Sequence, residues 1–353
     1  VSSSAKSAPA VGELALIELI RSRASANPFN ILGRSPLKLG IGDDCAILAP
    51  PRNHEILVTT DLFLETRHFR RDWHSPSSIG HRTLARGLSD LAAMGATPLA
   101  AFLSLALPKS IARTPAWLNG FLDGLLTLAA VHRTPLAGGD TSESPSDAIL
   151  ADILLLGSAR SGRSLRRSTA RPGDLLYVTG SLGGAATELA ALSANPKKFR
   201  RAMPGSDPLN DHPHLFPQPR LAVGQALLRR RLATACIDLS DGLSTDLNHL
   251  CEASSAASGN EIAAELDISL LPAHPRTGEL TDLAQITAIL HGGEDYELLF
   301  TARPSTKVPR SIAGVPISRI GRLLAREPNH PRMSILTGGE AFALQPQGWE
   351  HLK

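Results

Sequence analysis

Gly40-Ile41-Gly42-Asp43-Asp44 runs directly into the apolar stretch Cys45-Ala46-Ile47-Leu48. Two glycines allow the backbone a tight turn, and two adjacent carboxylates then repel each other unless a cation sits between them. Four further signatures place an Asp beside small or hydroxyl residues at the edge of an apolar segment. They are Thr59-Thr60-Asp61, Leu88-Ser89-Asp90, Gly138-Gly139-Asp140-Thr141 and Ile237-Asp238-Leu239-Ser240-Asp241-Gly242. Mg²⁺ takes oxygen ligands and binds through a few carboxylates together with substrate phosphates. Taken singly, Asp beside Gly is more often turn chemistry. Its recurrence in one chain points instead to a shared site for Mg²⁺ and polyphosphate.

The chain has 353 residues, more than one ordinary core needs, which predicts two domains. Aromatics make up only 4% of residues against 42% hydrophobic, so aliphatic side chains must fill the cores. The net charge of +3 is too weak and too dispersed to predict binding to nucleic acid or an anionic membrane. Cys45, Cys236 and Cys251 have no C-x-x-C spacing, which argues against a structural zinc site or a disulfide framework and for a reducing compartment. Residues 1–11 read as a disordered tail. The apolar run after them is broken by Glu13 and Glu18, unlike a signal peptide, and a cytoplasmic protein is expected. Leu91 to Leu107 is interrupted by Pro98 and reads as a helix end followed by a strand, not a membrane span.

Helices and strands alternate along both halves, which predicts α/β layers. Glu13 to Arg23 reads as a helix, Cys45 to Leu48 as a short buried strand, and Glu55 to Thr60 as a strand ending at Asp61. Phe63 to Phe69 reads as a separate extended piece carrying His68, and Ser77 to Met94 as a long helix with Asp90 in its last turns. A carboxylate is disfavoured near a helix C-terminus, so Asp90 points to cation binding. Strands are expected at Leu99–Leu107 and Ala148–Ala159, with the helix Ala116–His132 between them. The basic stretch Gly162 to Arg171 marks the boundary between domains at 12–162 and 163–353. In the second half, strands at Leu175–Thr179, Ala235–Leu239, Glu261–Leu266 and Leu298–Thr301 alternate with helices, 194–219 is a long loop, and a final helix and strands are expected up to Trp349.

Gly180-x-x-Gly183-Gly184 lies between a strand and a helix, where phosphate loops occur, but it is neither a Walker sequence nor G-x-G-x-x-G and reads first as a tight turn. Ser240 is placed to cap the helix after it, and such an N-terminus can also receive phosphate. Arg166 and Arg167 suit phosphate clamping or a solvated basic linker equally.

In this order and spacing, these motifs and Gly292-Gly293-Glu294-Asp295-Tyr296-Glu297 resemble the thiamine-monophosphate kinases, from about residue 12 to the end. The wider superfamily includes aminoimidazole ribonucleotide synthetase, selenophosphate synthetase and a hydrogenase maturation factor. The resemblance implies a two-domain α/β fold and a homodimer whose N-terminal sheets pack together. It also implies ATP-dependent phosphorylation of thiamine monophosphate to thiamine diphosphate. Carried over by position, Asp44, Thr59, Thr60, Asp61, Asp90, Asp140, Asp238 and Asp241 belong to sites for several Mg²⁺ ions, with K⁺ a further ion to test. Gly139, Asp140, Arg167 and Ser240 contact ATP. His68, Glu294 and Trp349 contact thiamine monophosphate, and Trp349 aligns only through its place after Gly348. No residue is implied as an acid or base. Selenophosphate synthetase chemistry needs a reactive residue in the N-terminal segment, yet no Cys precedes Cys45. A non-catalytic Mg-nucleotide-binding protein and a metal-dependent phosphohydrolase are the readings from other classes.

Overall fold

The structure, a computed structural model, describes residues 13–26, 36–204 and 212–349. The expected tail at 1–11 and the middle of the expected loop at 194–219 lie outside the described residues. The chain forms two compact units. One contains the described residues of Val1–Arg52 with Val58–Gly87 and Pro98–Leu156; the other contains Asn53–Leu57, Leu88–Thr97 and the described residues of Gly157–Lys353.

The first unit opens with helix α1 (Glu13–Ser25) and a hairpin of β1 (Leu37–Leu39) and β2 (Ile47–Leu48). The hairpin encloses Gly40–Ala46. Its second strand is not buried, since Ile47 is 54% exposed, because no layer covers a ribbon this short. Strand β3 (His54–Leu64) runs through Asp61 without the expected break. Helix α2 (Pro76–Ala93) has Pro76 in its first turn, and Ser75 Oγ accepts the Ser78 N–H at 3.1 Å. Gly95, at φ +68°, ends it. Strand β4 (Thr97–Leu107), helices α3 (Lys109–Ala112) and α4 (Pro115–Val131), and strands β5 (Leu136–Glu143) and β6 (Leu150–Arg160) follow. The sheet order is β3-β6-β4-β5, with β4 and β5 parallel. Phe63, Ile79, Leu84, Phe121, Leu125 and Ile153 are fully buried in this unit.

The second unit continues with β7 (Leu175–Thr179), α5 (Gly184–Ala194), α6 (Leu221–Arg229), β8 (Ala235–Asp238), α7 (Leu243–Ser258), β9 (Ile262–Asp267) and α8 (Asp282–His291). It ends with β10 (Leu298–Ala302), β11 (Ser311–Ile312), β12 (Val315–Ala325), β13 (Met333–Thr337) and β14 (Glu340–Ala343). The expected final helix is absent among the described residues. The strands expected with it are present as β11–β14, where Gly314, Gly338 and Gly339 all have positive φ and serve tight turns. The sheet order is β14-β13-β9-β12-β7-β10-β8, with β11 paired to β12 and β13 parallel to β9. Leu176, Val178, Leu247, Leu250, Leu266, Leu299, Ile320 and Leu323 form its core. The fold is the expected mixed α/β class.

Candidate active site

In the first unit, the Gly40–Ala46 turn holds Asp43 and Asp44 in solvent, and Asp43 Oδ1 accepts the Asp44 N–H at 2.8 Å. The side chain of Asp43 therefore fixes the turn while the Asp44 carboxylate stays outside that bond. Strand β3 alternates, so Leu57, Thr59, Asp61 and Phe63 share its covered face and Ile56, Val58, Thr60 and Leu62 its open face. Thr60 donates its hydroxyl to Asp152 Oδ1 on β6 at 2.7 Å. Asp61 lies 3.2 Å from the Arg86 guanidinium. Burial raises the Asp61 carboxyl above its ordinary range, against the pull of Arg86. The side chains of Thr60 and Asp61 thus do not meet.

Gly139 and Asp140 lie within strand β5, opposite Leu103 and Ser104 of β4. A Cβ at Gly139, where φ is +147°, would sit 1.8 Å from the Leu103 carbonyl oxygen. Only glycine lets the backbone bring Asp140 to this point. The β3 and β5 strands form opposite edges of the four-stranded sheet. With neighbouring strands about 4.8 Å apart, the strands that carry Asp61 and Asp140 are separated by roughly 14 Å across it. His68 follows β3; its Nδ1 accepts the Leu64 N–H at 2.9 Å, and its ring stacks on Phe63.

The second unit brings most of its expected site residues together. Ser89, fully buried in α2 beside Asp90, donates to Asp238 Oδ2 at 2.7 Å. Asp238 ends β8 and is 8% exposed. The turn after it is closed by Asp246, whose Oδ2 accepts the N–H groups of Asp241 and Gly242 at 3.0 and 3.1 Å. Burial drives the Asp246 carboxyl well above its ordinary range, and the charges of Asp238 and Asp241 push it further. Carboxylate oxygens of Asp241 and Asp246 and a ring nitrogen of His249 lie within 4.8 Å of one another. Helix α7 is preceded by Gly242, without a side-chain cap, so Ser240 does not cap it.

Ser240 instead anchors the next motif, its carbonyl accepting the Glu294 N–H at 2.8 Å while that of Leu239 accepts the Tyr296 N–H at 2.9 Å. Glu294 has φ +67°, a conformation rare for a side chain with a Cβ and held here by these bonds. Its Oε2 is 3.0 Å from His214 Nδ1. Asp295 points the other way, accepting the N–H groups of Gly183 and Ala185 at 2.7 and 3.1 Å. The glycine turn at 180–184 therefore spends these amides on the protein's own carboxylate and is structural. At the C-terminal side, Gly348 N–H donates to Thr245 Oγ1 and Trp349 N–H to the Asp241 carbonyl, both at 3.0 Å. Asp238, Ser240, Asp241, Glu294 and Trp349 thus converge on the loop between β8 and α7. Arg167 stands apart and exposed; its carbonyl accepts the Ser254 hydroxyl at 2.8 Å.

Asp152, Arg86, Asp246 and His214 hold the site residues but carry no motif of their own in the sequence. Asp246 alone was within reach, as an acidic residue in the first turn of the helix after Asp241. Apart from the His249 ring nitrogen the donors are oxygens of carboxylates and hydroxyls, and three carboxylates are crowded at the end of β8. That chemistry fits a hard divalent cation.

Residues 42–159 match the family model described as AIR synthase related protein, N-terminal domain. The chain is 37% identical over 347 residues to the thiamine-monophosphate kinase of Escherichia coli strain K12, covering 97% of this chain and 98% of that one. It superposes on the crystal structure of thiamine-monophosphate kinase from Stenotrophomonas maltophilia K279a with a TM-score of 0.76 at 34% identity, over 94% of this chain and 98% of that one. It also superposes on the structure of AaThiL complexed with AMPPCP and TMP, with a TM-score of 0.70 at 25% identity, over 99% and 100% of the two chains. Near-complete coverage, a shared fold and the ordered acidic motifs agree, and the chain belongs to the thiamine-monophosphate kinase family.

Proposed function

We propose that this protein transfers the γ-phosphoryl group of ATP to the phosphate of thiamine monophosphate, giving thiamine diphosphate and ADP. The relatives support the reaction, and AaThiL holds an ATP analogue together with TMP. The observation in this chain that carries it is the convergence of Asp238, Ser240, Asp241, Glu294 and Trp349 on one loop.

The acceptor is a phosphate already ionised at neutral pH, so the reaction needs no general base. An acceptor phosphate oxygen forms the new P–O bond as the bond between the γ-phosphorus and the β-bridging oxygen breaks, and ADP leaves. The obstacle is repulsion between two anions brought into line, which positioning and charge compensation remove. Asp44, Thr59, Thr60, Asp61, Asp90, Asp140, Asp238 and Asp241 are the residues that would hold Mg²⁺. Bound there, the ions supply the positive charge that lets the two phosphates approach. Glu294, fixed by Ser240 and His214, offers a carboxylate to the cationic thiazolium. Trp349, about half exposed, offers a ring face to the same heteroaromatic, and His68 a third contact. Gly139, Arg167 and Ser240 are assigned to ATP.

The homodimer belongs to the same proposal. The open face and edge of β3 expose Ile56, Val58 and Leu62, and Asp61 and Asp140 lie on opposite edges of one sheet. Pairing of these edges between two copies would cover the apolar residues and bring the Asp61 edge of one copy toward the Asp140 edge of the other. Residues 12–162 would then be the metal and dimerisation domain and 163–353 the second domain. No helix among the described residues is long and apolar enough to cross a membrane, and the cysteines are free thiols, which supports a cytoplasmic site of action.

The test is incubation with Mg-ATP and thiamine monophosphate, at varied Mg²⁺ and K⁺, with chromatography of the products. Thiamine diphosphate and ADP in equal amounts are expected, and their absence at every ion condition rejects the proposal. Sedimentation velocity reports the dimer separately.

A further inference from the structure

The second unit contains a cavity of about 730 Å³ that none of the residues assigned above to metal, ATP or thiamine monophosphate lines. Its walls come from the end of β6, the basic stretch after it, the C-terminal end of α6 and the residues leading into β8. It opens at the Ala233–Thr234 end of β8, whereas Asp238 stands at the other end of that strand. Arg160, Arg163, Arg166, Arg229 and Arg231 all line it, and no aspartate or glutamate does among the described residues. The nearby Glu55 carboxylate already accepts the Gly162 N–H at 3.1 Å and the Ser164 hydroxyl at 2.6 Å.

The cavity floor is built as well as charged: Ser158, at the end of β6, lines it and is only 3% exposed. Arg231 occupies the left-handed position that closes α6, at φ +53°, with Leu232 N–H bonded to the Leu227 carbonyl at 3.0 Å. Glycine is favoured there, so an arginine pays a conformational penalty to be kept at the cavity wall.

We propose that this cavity is a second anion site, which binds a small molecule carrying a di- or triphosphate group without a metal. Five guanidinium groups around one concavity make it strongly positive, and their planar forks match phosphate oxygens. The volume suits a small ligand. Because the arginines supply the charge, binding here persists when divalent ions are removed, unlike binding at the acidic site.

The test is calorimetric titration of the full chain with inorganic tripolyphosphate in EDTA. Saturable binding is expected in the wild type. Arg231→Gly, which relieves the strained backbone, should keep or raise stability and still weaken binding about tenfold, the loss of one charge-assisted contact. Arg163→Ala should weaken it similarly, while turnover with saturating Mg-ATP and thiamine monophosphate stays at the wild-type level. Absence of binding in EDTA, or unchanged affinity in both variants, overturns the proposal. Equal loss in Asp238→Asn would move the anion to the acidic site and overturn it as well. A single-stranded RNA oligomer that binds more tightly than tripolyphosphate through the same arginines would overturn the small-molecule assignment.

Discussion

Ser89 and Asp238, 149 positions apart, are joined by a 2.7 Å hydrogen bond between two buried side chains. It ties the helix that carries Asp90 to the strand that ends at the β8–α7 loop. Removing the Ser89 hydroxyl leaves a buried carboxylate oxygen without that donor. Ser89→Ala should therefore cost about 1–3 kcal/mol in chemical denaturation. Asp238→Asn can keep the bond but loses the charge. It should stay folded while turnover drops by at least about 100-fold, the most that loss of an outer-shell partner costs.

Asp44 stands in solvent on a turn that Asp43 fixes. Exposed substitutions away from special features change stability by about 0.5 kcal/mol or less. Asp44→Asn should unfold as the wild type does and lose turnover by orders of magnitude. Full activity in that variant would remove Asp44 from the metal site.

Gly139 tests the backbone. Its φ of +147° and the 1.8 Å approach to the Leu103 carbonyl leave no room for a methyl group. Gly139→Ala should lower stability by about 2 kcal/mol or more, visible as a lower melting temperature, and carry Asp140 out of place.

Asp295 gives the pH dependence. Burial pushes its carboxyl up to about 7 from an ordinary 3.8, although the Gly183 and Ala185 N–H groups pull it down. The folded chain therefore holds this proton more tightly than the unfolded chain. Its contribution to stability is complete below 3.8 and is lost as pH rises through about 7. Denaturation curves of wild type and Asp295→Asn from about pH 4 to 8 should show the wild type losing stability relative to the variant across that window. A constant difference would show that Asp295 does not titrate there.

Trp349 is about half exposed, and its backbone is pinned to Asp241. Trp349→Ala should raise KM for thiamine monophosphate and leave KM for ATP and the melting temperature in place.

Much of this was legible in the sequence because it is local. The alternation of Glu55–Thr60 and the helical run Ser77–Met94 place β3 and α2 through short-range rules. The errors share a cause. Asp61 reads as a strand end because Asp is a poor strand former, yet Arg86 and the sheet partner β6 hold it mid-strand. Ser240 resembled a helix cap, but its carbonyl is taken by Glu294, a partner that no spacing rule supplies. The positions of Asp152, Arg86 and His214 follow from tertiary packing alone. The glycine turn at 180–184 reads as a tight turn in the sequence, and Asp295, which takes the Gly183 and Ala185 amides, makes it one.

The central claim is direct transfer between two phosphates. Incubation with ATP labelled at its γ-phosphorus, Mg²⁺ and thiamine monophosphate tests it in one measurement. The account predicts the label in the terminal phosphate of thiamine diphosphate, one for each ADP formed. Label found only in free inorganic phosphate, with thiamine monophosphate unchanged, would contradict it.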